Sequence, residues 1–338
     1  MISRRTLFSC TRRATLAAAA LATLGAAPLA SAQTSQGASA WPTRPVKLIV
    51  PYAAGGYADT RARLIAESLG KVLGQPVVID NRGGAGGVTG TDAIAKATDG
   101  HTFGFGSPGP LVTNPMLMRK MPYDAKADLK PIILIEQAPL FLTTAPKQPF
   151  KSVQELIAHA KAHPGDVTFG SSGVGGAHHL SGELLAFQTQ APMTHVPYKG
   201  GSLAATDLMG GHLVMMFEMG YSALPSIKAG KINALAVSSK KRLSVLPNVP
   251  TLDEAGVKGF ESYNWLGMIA PAGTPDAVIA KINQAVNSAL KNDQALRQMI
   301  EGSGGMIVGG TPAAYGQFIE AERAKWGPVI KNANITLD

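Results

Sequence analysis

His178 and His179, with Glu183 one helical turn further on, are the residues of this chain best suited by type and spacing to chemistry. Such a set can hold a divalent cation or serve as a general base. A catalytic metal needs a further ligand and partners that orient the imidazoles, and the neighbouring sequence supplies neither. A structural or ligand-contacting role therefore fits better than a hydrolase or metalloenzyme centre, which stays as the weakest reading. His159 and His163 are four apart on an expected helix, but Ala160 stands where a zincin needs glutamate. Phe105 and Val174 break the two nearest Gly-x-Ser-x-Gly elbows. Gly104-x-Gly106-x-x-Gly109 spells a dinucleotide fingerprint, yet Pro108 and Pro110 keep that loop from opening directly into a helix. Gly83–Gly90 lacks the Gly-Lys-Ser/Thr ending of a P-loop. No catalytic residue, metal site or cofactor is expected.

What the chain does offer is a set of small, donor-rich loops. Tyr52–Asp59, Ser107–Gly109, Ser171–Gly176 and Tyr198–Ser202 each combine glycines or hydroxyls with a position before a helix or turn. The first turn of a helix presents unpaired backbone N–H groups at the positive end of its dipole, and glycine lets a ligand approach them. One such loop is a turn. Several at strand ends point to binding of an anion, a carboxylate or a phosphate.

The elements that must position these loops alternate. The apolar run 46–50 predicts a strand, and Ala62, Ile65, Ala66 and Leu69 predict a helix from about Ala58 to Leu73, stopped by Gly74. Strands follow at 77–80 and 102–106, with a short helix over 92–97 between them. Two strand-like runs near Ile132–Ala145, separated by Pro139, mark a crossing into a second α/β unit. There Ser152-Val153-Gln154-Glu155 caps a helix, 167–170 and 194–198 form strands, and a helix spans 177–188. Ser202 is expected to cap a helix over 203–209. Strands at 213–217 and 233–239 flank a helix near 222–229. The chain returns through a strand at 265–270 and two helices begun by Thr274-Pro275 and Thr311-Pro312, the last burying Tyr315, Phe318, Ile319, Trp326 and Val329. The sum is two α/β lobes joined by two crossings, with glycine loops facing each other across a cleft.

Before that fold begins comes an export signal. Arg4, Arg5, Arg12 and Arg13 precede an alanine-rich apolar stretch, and Ala30-Ser31-Ala32 is a small-x-small cleavage site. Two twin-arginine patterns fit the Tat route as well as the general one. Cleavage after Ala32 leaves 27 basic residues of 31 against 22 acidic ones, so the net charge falls from +9 to +5. The single cysteine, Cys10, leaves with the signal, so the exported chain must stand on its core without disulfides. Basic residues are dispersed and not interleaved with aromatics, which argues against nucleic acid.

The ordered motifs Pro45-Val46-Lys47-Leu48-Ile49-Val50-Pro51-Tyr52-Ala53-Ala54-Gly55-Gly56-Tyr57-Ala58-Asp59, Asp80-Asn81-Arg82-Gly83-Gly84, Met121-Pro122-Tyr123-Asp124, His195-Val196-Pro197-Tyr198-Lys199-Gly200 and Ala270-Pro271-Ala272-Gly273-Thr274-Pro275 closely resemble the Bug, or TctC-like, family. The likeness runs from about residue 42 to the C-terminus. It implies a two-lobe periplasmic binding protein of the type II, Venus-flytrap kind with two crossover strands. Residues 42–139 plus 263–338 would form lobe 1 and 140–262 lobe 2, behind a tether over 33–41. It further implies a monomeric carrier of a small organic carboxylate, handing its ligand to the permease subunits of a tripartite tricarboxylate transporter. A sensor that passes its closed form to a membrane kinase is the alternative. Carried over by position, the ligand residues are Tyr52, Ala54, Gly55, Gly56, Tyr57, Asp59 and Ser107 from one lobe, with Ser172, Gly173, Gly175, Gly176, Tyr198, Lys199 and Gly200 from the other. Two departures bear on the ligand. Tyr57-Ala58 replaces a common Pro-Thr, and Leu213–Met219 carries Glu218, counted here with the site, where relatives often carry aspartates. With Tyr221 beyond it, and facing the cleft, this run would suit a flatter or more apolar carboxylate, such as an aromatic acid, better than a short polar one, while the resemblance implies a carboxylate that is often a dicarboxylate.

Overall fold

Residues Val46–Val50 form strand β1, apolar and buried apart from Lys47. The computed structural model describes residues 41–337, so the export signal, its cleavage after Ala32 and the tether up to residue 40 lie outside the described residues. β1 hands over through residues 51–56 to α1 (Tyr57–Leu73), which buries Ala58, Ala62, Ile65, Ala66 and Leu69 in one stripe. Gly74 ends it at φ 69°, a left-handed cap whose N–H reaches the Gly70 carbonyl. β2 (Val77–Asn81), α2 (Val88–Ala95) and β3 (Thr102–Gly106) follow, and β1 lies between β2 and β3, parallel to both. Parallel order brings the carboxyl ends of all three strands to one edge, where the glycine loops collect. A four-residue α3 (Asn114–Leu117) comes next.

The two expected runs near Pro139 are one sixteen-residue strand, β4 (Leu129–Thr144). Its first part pairs antiparallel with β9 (Tyr263–Pro271), from Leu129 opposite Pro271 to Pro139 opposite Tyr263. From Leu140 opposite Met219 onward it pairs instead with β7 (Met215–Met219), and also with β8 (Asn233–Val237). Proline has no N–H to give a ladder, so it is tolerated where the strand changes partners. Ser238 ties this point to the returning chain: its hydroxyl accepts from Leu140 N at 2.8 Å and donates to the Ser262 carbonyl.

Beyond the crossing, α4 (Val153–Ala162) begins at Ser152, whose hydroxyl accepts from Glu155 N as expected. β5 (Thr168–Ser171) lies between β6 (Thr194–Pro197) and β7, parallel to both. α5 (Ala177–Thr189) follows the loop after β5, α6 (Gly201–Gly210) the loop after β6, and α7 (Gly220–Lys228) follows β7 directly. Gly200, not Ser202, caps α6: its φ of 153° reaches a turn that a side chain would resist. The return adds α8 (Asp276–Asn292), then α9 (Gln294–Gly302) and β10 (Met306–Gly309), two elements without a counterpart in the sequence reading. β10 exists by pairing with β4, a tertiary contact. The last helix, α10 (Pro312–Asn332), buries Tyr315, Ile319, Trp326 and Val329, and its buried Glu322 accepts the indole N–H of both Trp265 and Trp326. Among the described residues no helix is long and apolar enough to cross a membrane.

Close approach fixes the opening loop from behind. A Cβ on Gly90 of α2 would sit 2.6 Å from Pro51 Cα and 2.7 Å from the Arg82 carbonyl oxygen. Gly90→Ala is therefore expected to cost about 1–3 kcal/mol, read as a lower urea midpoint at unchanged slope.

Candidate functional site

The loop after β1 is built from its own polar groups. Asp59 Oδ2 accepts from Gly55 N at 2.8 Å and from Arg63 Nε at 3.0 Å, while Gly55 adopts φ 78°. Burial pulls the Asp59 carboxyl upward, but Arg63, the Gly55 amide and Asn81 outweigh it and hold the group below its usual range. Asn81 Nδ2 donates to the Tyr52 carbonyl at 3.2 Å, and the Tyr52 and Ser107 hydroxyls meet at 2.5 Å. The result is a rigid turn that delivers the start of α1 to the cleft. α1 opens at Gly56 with no side-chain cap, and α5 opens at Gly176 with none either. In both, the first-turn N–H groups lack intrahelical partners; the positive end of the dipole has no acidic residue near it in α5, whereas in α1 Asp59 stands in the first turn with Arg63 against it.

These two helix starts bound one cavity of about 470 Å³. Tyr52, Gly56, Tyr57 and Ser107 line it from one side, and Ser172, Gly173, Gly175 and Gly176 from the other. Eight of the candidate residues thus come together. Its lining includes no Asp, Glu, Lys or Arg. Asn114, His178, Met219 and Asn264 also line it and were not among the candidates. His178 carried a sequence signal, as the second residue of a helix after a glycine loop, and Met219 one as the end of the methionine-rich run that departs from the relatives' pattern.

The remaining candidates lie elsewhere. Ala54 is exposed outside the lining, and Gly55 lines a second cavity. Asp59 is buried as the internal cap just described. Tyr198 donates its hydroxyl to Asp207 Oδ2 at 2.7 Å and its amide to the Ser171 carbonyl, so it braces the loop after β5. Lys199 and Gly200 lie outside the cavity lining. Glu218 is buried within β7, where it accepts from Thr143 Oγ1 at 2.9 Å, and burial raises its pKa.

The histidines hold the loop of residues 171–176. His179 Nδ1 accepts from Gly175 N at 3.0 Å, which leaves the proton on Nε2, 3.3 Å from Glu183 Oε1. Its ring stacks on His195 at 3.6 Å, and His195 Nε2 lies 2.6 Å from Ser171 Oγ. His178 Nδ1 lies 2.7 Å from Ser172 Oγ. Burial lowers the His178 pKa to about 4, and burial with the neighbouring His179 lowers His195 to about 4. Both rings are neutral at pH 7, as scaffolding requires. His159 and His163 come together with Asp166 at the exposed end of α4, outside the cavity lining.

Residues 61–335 match the profile of the tripartite tricarboxylate transporter family receptor. The chain belongs to this family. It is 38% identical to protein BugT of Bordetella pertussis over 302 residues, covering 89% of this chain and 92% of that one. Among solved structures it is similar to R. palustris Rpa4515 with adipate, at TM-score 0.78 and 38% identity, covering 88% of this chain and 99% of that one. It is similar also to MatC from Rhodopseudomonas palustris with bound malate, at TM-score 0.74 and 32% identity, covering 86% and 100%. The two-lobe, type II binding-protein fold is that of these relatives. The receptor is thus a solute-binding protein of the TctC/Bug type.

One wall of the receptor's cavity has a buried charged support. Arg61, in the second turn of α1, donates from Nε to Glu136 Oε1 at 2.9 Å and from a terminal nitrogen to Ser303 Oγ at 2.8 Å. Its guanidinium carbon lies 4.2 Å from the centre of the Tyr57 ring, and that ring stacks on Tyr221 at 5.6 Å. Burial foremost, then the Glu136 charge, lifts the Tyr57 hydroxyl well above its ordinary value. The spacing of Arg61 with Ile65 and Leu69 already puts an arginine in the apolar stripe of α1. A charge there signals a buried partner, but that partner is 75 residues away in sequence.

Proposed function

We propose that this receptor captures a small organic carboxylate between its lobes in the periplasm, without chemical conversion, and delivers it to the permease of a tripartite tricarboxylate transporter. The observation that carries the reading is the pair of uncapped helix starts, at Gly56 and Gly176, on opposite walls of one cavity free of ionic side chains. First-turn N–H groups at two helix starts suit a dicarboxylate, one carboxylate at each, and the hydroxyls of Tyr52, Ser107 and Ser172 supply further polar contacts. The adipate and malate bound to similar receptors favour the same ligand class. An uncharged lining spares the ligand an ion pair that release would have to break, which suits a carrier better than a store.

In this reading lobe 1 comprises residues 42–139 and 263–338, and lobe 2 residues 140–262. The change of pairing partner at Pro139 and Leu140, opposite the return at Tyr263, supports that division. Bending at these two crossings closes the cleft on the ligand. Export with cleavage after Ala32 puts the monomer in the periplasm.

The test is a thermal-shift and calorimetric panel on the mature protein with C4–C6 dicarboxylates, citrate and aromatic acids. A dicarboxylate at a hundred times its Kd is expected to add about 2.7 kcal/mol of stability, while inorganic sulfate adds none. A panel in which no carboxylate raises the melting temperature overturns the reading. Delivery is tested separately: deleting the permease subunits should abolish uptake of the ligand while the purified receptor still binds it.

A further inference from the structure

Gly56 and Tyr57 line two cavities at once. The first is the 470 Å³ cavity between the helix starts, and the second, of about 810 Å³, lies beyond them among α1, α7 and the end of α9. On the facing wall the boundary falls between consecutive residues, because Met219 lines the first cavity while Gly220 and Tyr221 line the second. The stack of Tyr57 on Tyr221, with rings inclined by 23°, stands on that boundary. The backbone beside it has no room to yield. A Cβ on Gly220 would lie 2.2 Å from the Ser303 carbonyl oxygen, so the backbone is closed against α9 at this point and the two rings are the side chains that can move there.

The cavities differ in charge. The first has no ionic side chain in its lining, whereas the second is lined by Arg61 and Lys228 and by no carboxylate. Glu136 engages Arg61 from beneath, which leaves the exposed Lys228 as the outward-facing charge. An anionic group that reached the second cavity would therefore find a favourable field that the first does not contain.

We infer that the Tyr57–Tyr221 pair is a partition that confines the bound acid to the uncharged cavity and shuts it off from a cationic extension of the same cleft, so that the pair sets the upper length of the ligand. This rests on the carboxylate reading above. Tyr57 is held on the first-lobe side by Arg61, while Tyr221 is 48% exposed and supports the stack from the other side. Tyr221 lines the second cavity and not the first, so removing it opens the partition while every residue of the first cavity's lining stays in place.

The experiment titrates succinate, adipate, suberate, sebacate and the monoacid decanoate into the mature wild type, Tyr221→Ala and Tyr57→Ala by calorimetry. Wild type should favour a short diacid and bind sebacate poorly. Tyr221→Ala should bind sebacate about tenfold more tightly than wild type does. Its affinity for the short diacid should be unchanged, and Lys228→Gln added to it should remove the gain for sebacate but not alter decanoate. Tyr57→Ala should shift the sebacate-to-succinate affinity ratio in the same direction, whatever it does to absolute affinity. If Tyr221→Ala binds the short diacid as wild type does and gains nothing for suberate or sebacate, the partition is overturned while the receptor function stands. If wild type binds none of these diacids but does bind citrate or an aromatic acid, the length limit falls alone; if it binds no carboxylate at all, the carboxylate reading falls with it.

Discussion

Arg61→Met is expected to destabilise the receptor by about 3–5 kcal/mol. The side chains of Arg61 and Glu136 are only 5% and 0% exposed, and their 2.9 Å contact is the carboxylate's ionic partner. Methionine keeps much of the volume and removes the charge, so the cost is that of a buried carboxylate without compensation, together with the lost contact of the guanidinium on the Tyr57 ring. Burial already raises the Glu136 pKa even with Arg61 pulling it down. Without Arg61 it rises further. A carboxyl whose folded pKa lies above its unfolded value contributes stability below the unfolded pKa and loses it as pH rises through the folded one. The deficit of Arg61→Met should therefore shrink as the solution is acidified. Arg61→Met combined with Glu136→Leu should recover to within about 1 kcal/mol of wild type, because an apolar pair of similar volume replaces an ion pair whose desolvation is expensive. Urea unfolding of the single and double variants is the check. A single variant within about 1 kcal/mol of wild type at neutral pH would show that Glu136 is not held charged by Arg61.

The second large effect is on pH. His178 has a folded pKa lowered to about 4 from 6.5 by burial, so the unfolded chain binds its proton first. Stability from this ring is complete above about pH 6.5, declines as pH falls, and is gone near pH 4, a total of about 3 kcal/mol. His195 adds in the same direction, reduced by its partial exposure. Glu136 and Glu218, with raised pKa values, act in the opposite direction, so the total pH profile is a mixture. The clean quantity is the difference between wild type and His178→Gln, a variant that does not titrate and retains a hydrogen-bonding partner for Ser172. Wild type should lose about 3 kcal/mol relative to the variant between about pH 7 and about pH 4 in urea unfolding. Parallel profiles for the two proteins would rule out a buried, neutral His178.

Local pattern carried much of the fold. Leu48 and Ile49 in β1, the stripe of α1 with its stop at Gly74, and the caps at Ser152 and Thr311 all occur where periodicity and end signals put them. The continuity of β4 through Pro139 was not legible, because proline reads locally as a break and only the change of partner there makes it acceptable. β10 carries no alternation strong enough to announce a strand, and its pairing with β4 is what makes it one.

For the site, the division falls at the same place. The sequence by itself determined the glycine loops and the helix starts behind them, because these depend on residue type and near-neighbour spacing. It also carried the family resemblance, which a profile match over residues 61–335 bears out. Only the tertiary structure decided that Asn114, Met219 and Asn264 share a cavity with Tyr52 and Ser172. It alone turned His178, His179 and His195 into supports for one loop, joined Arg61 to Glu136, and stood Tyr57 against Tyr221 between two cavities. The physical reason is range: hydrogen-bonding caps and helical faces are settled within a few residues, whereas pairing partners, buried charges and cavity walls depend on segments that meet only when the chain has crossed between its lobes twice.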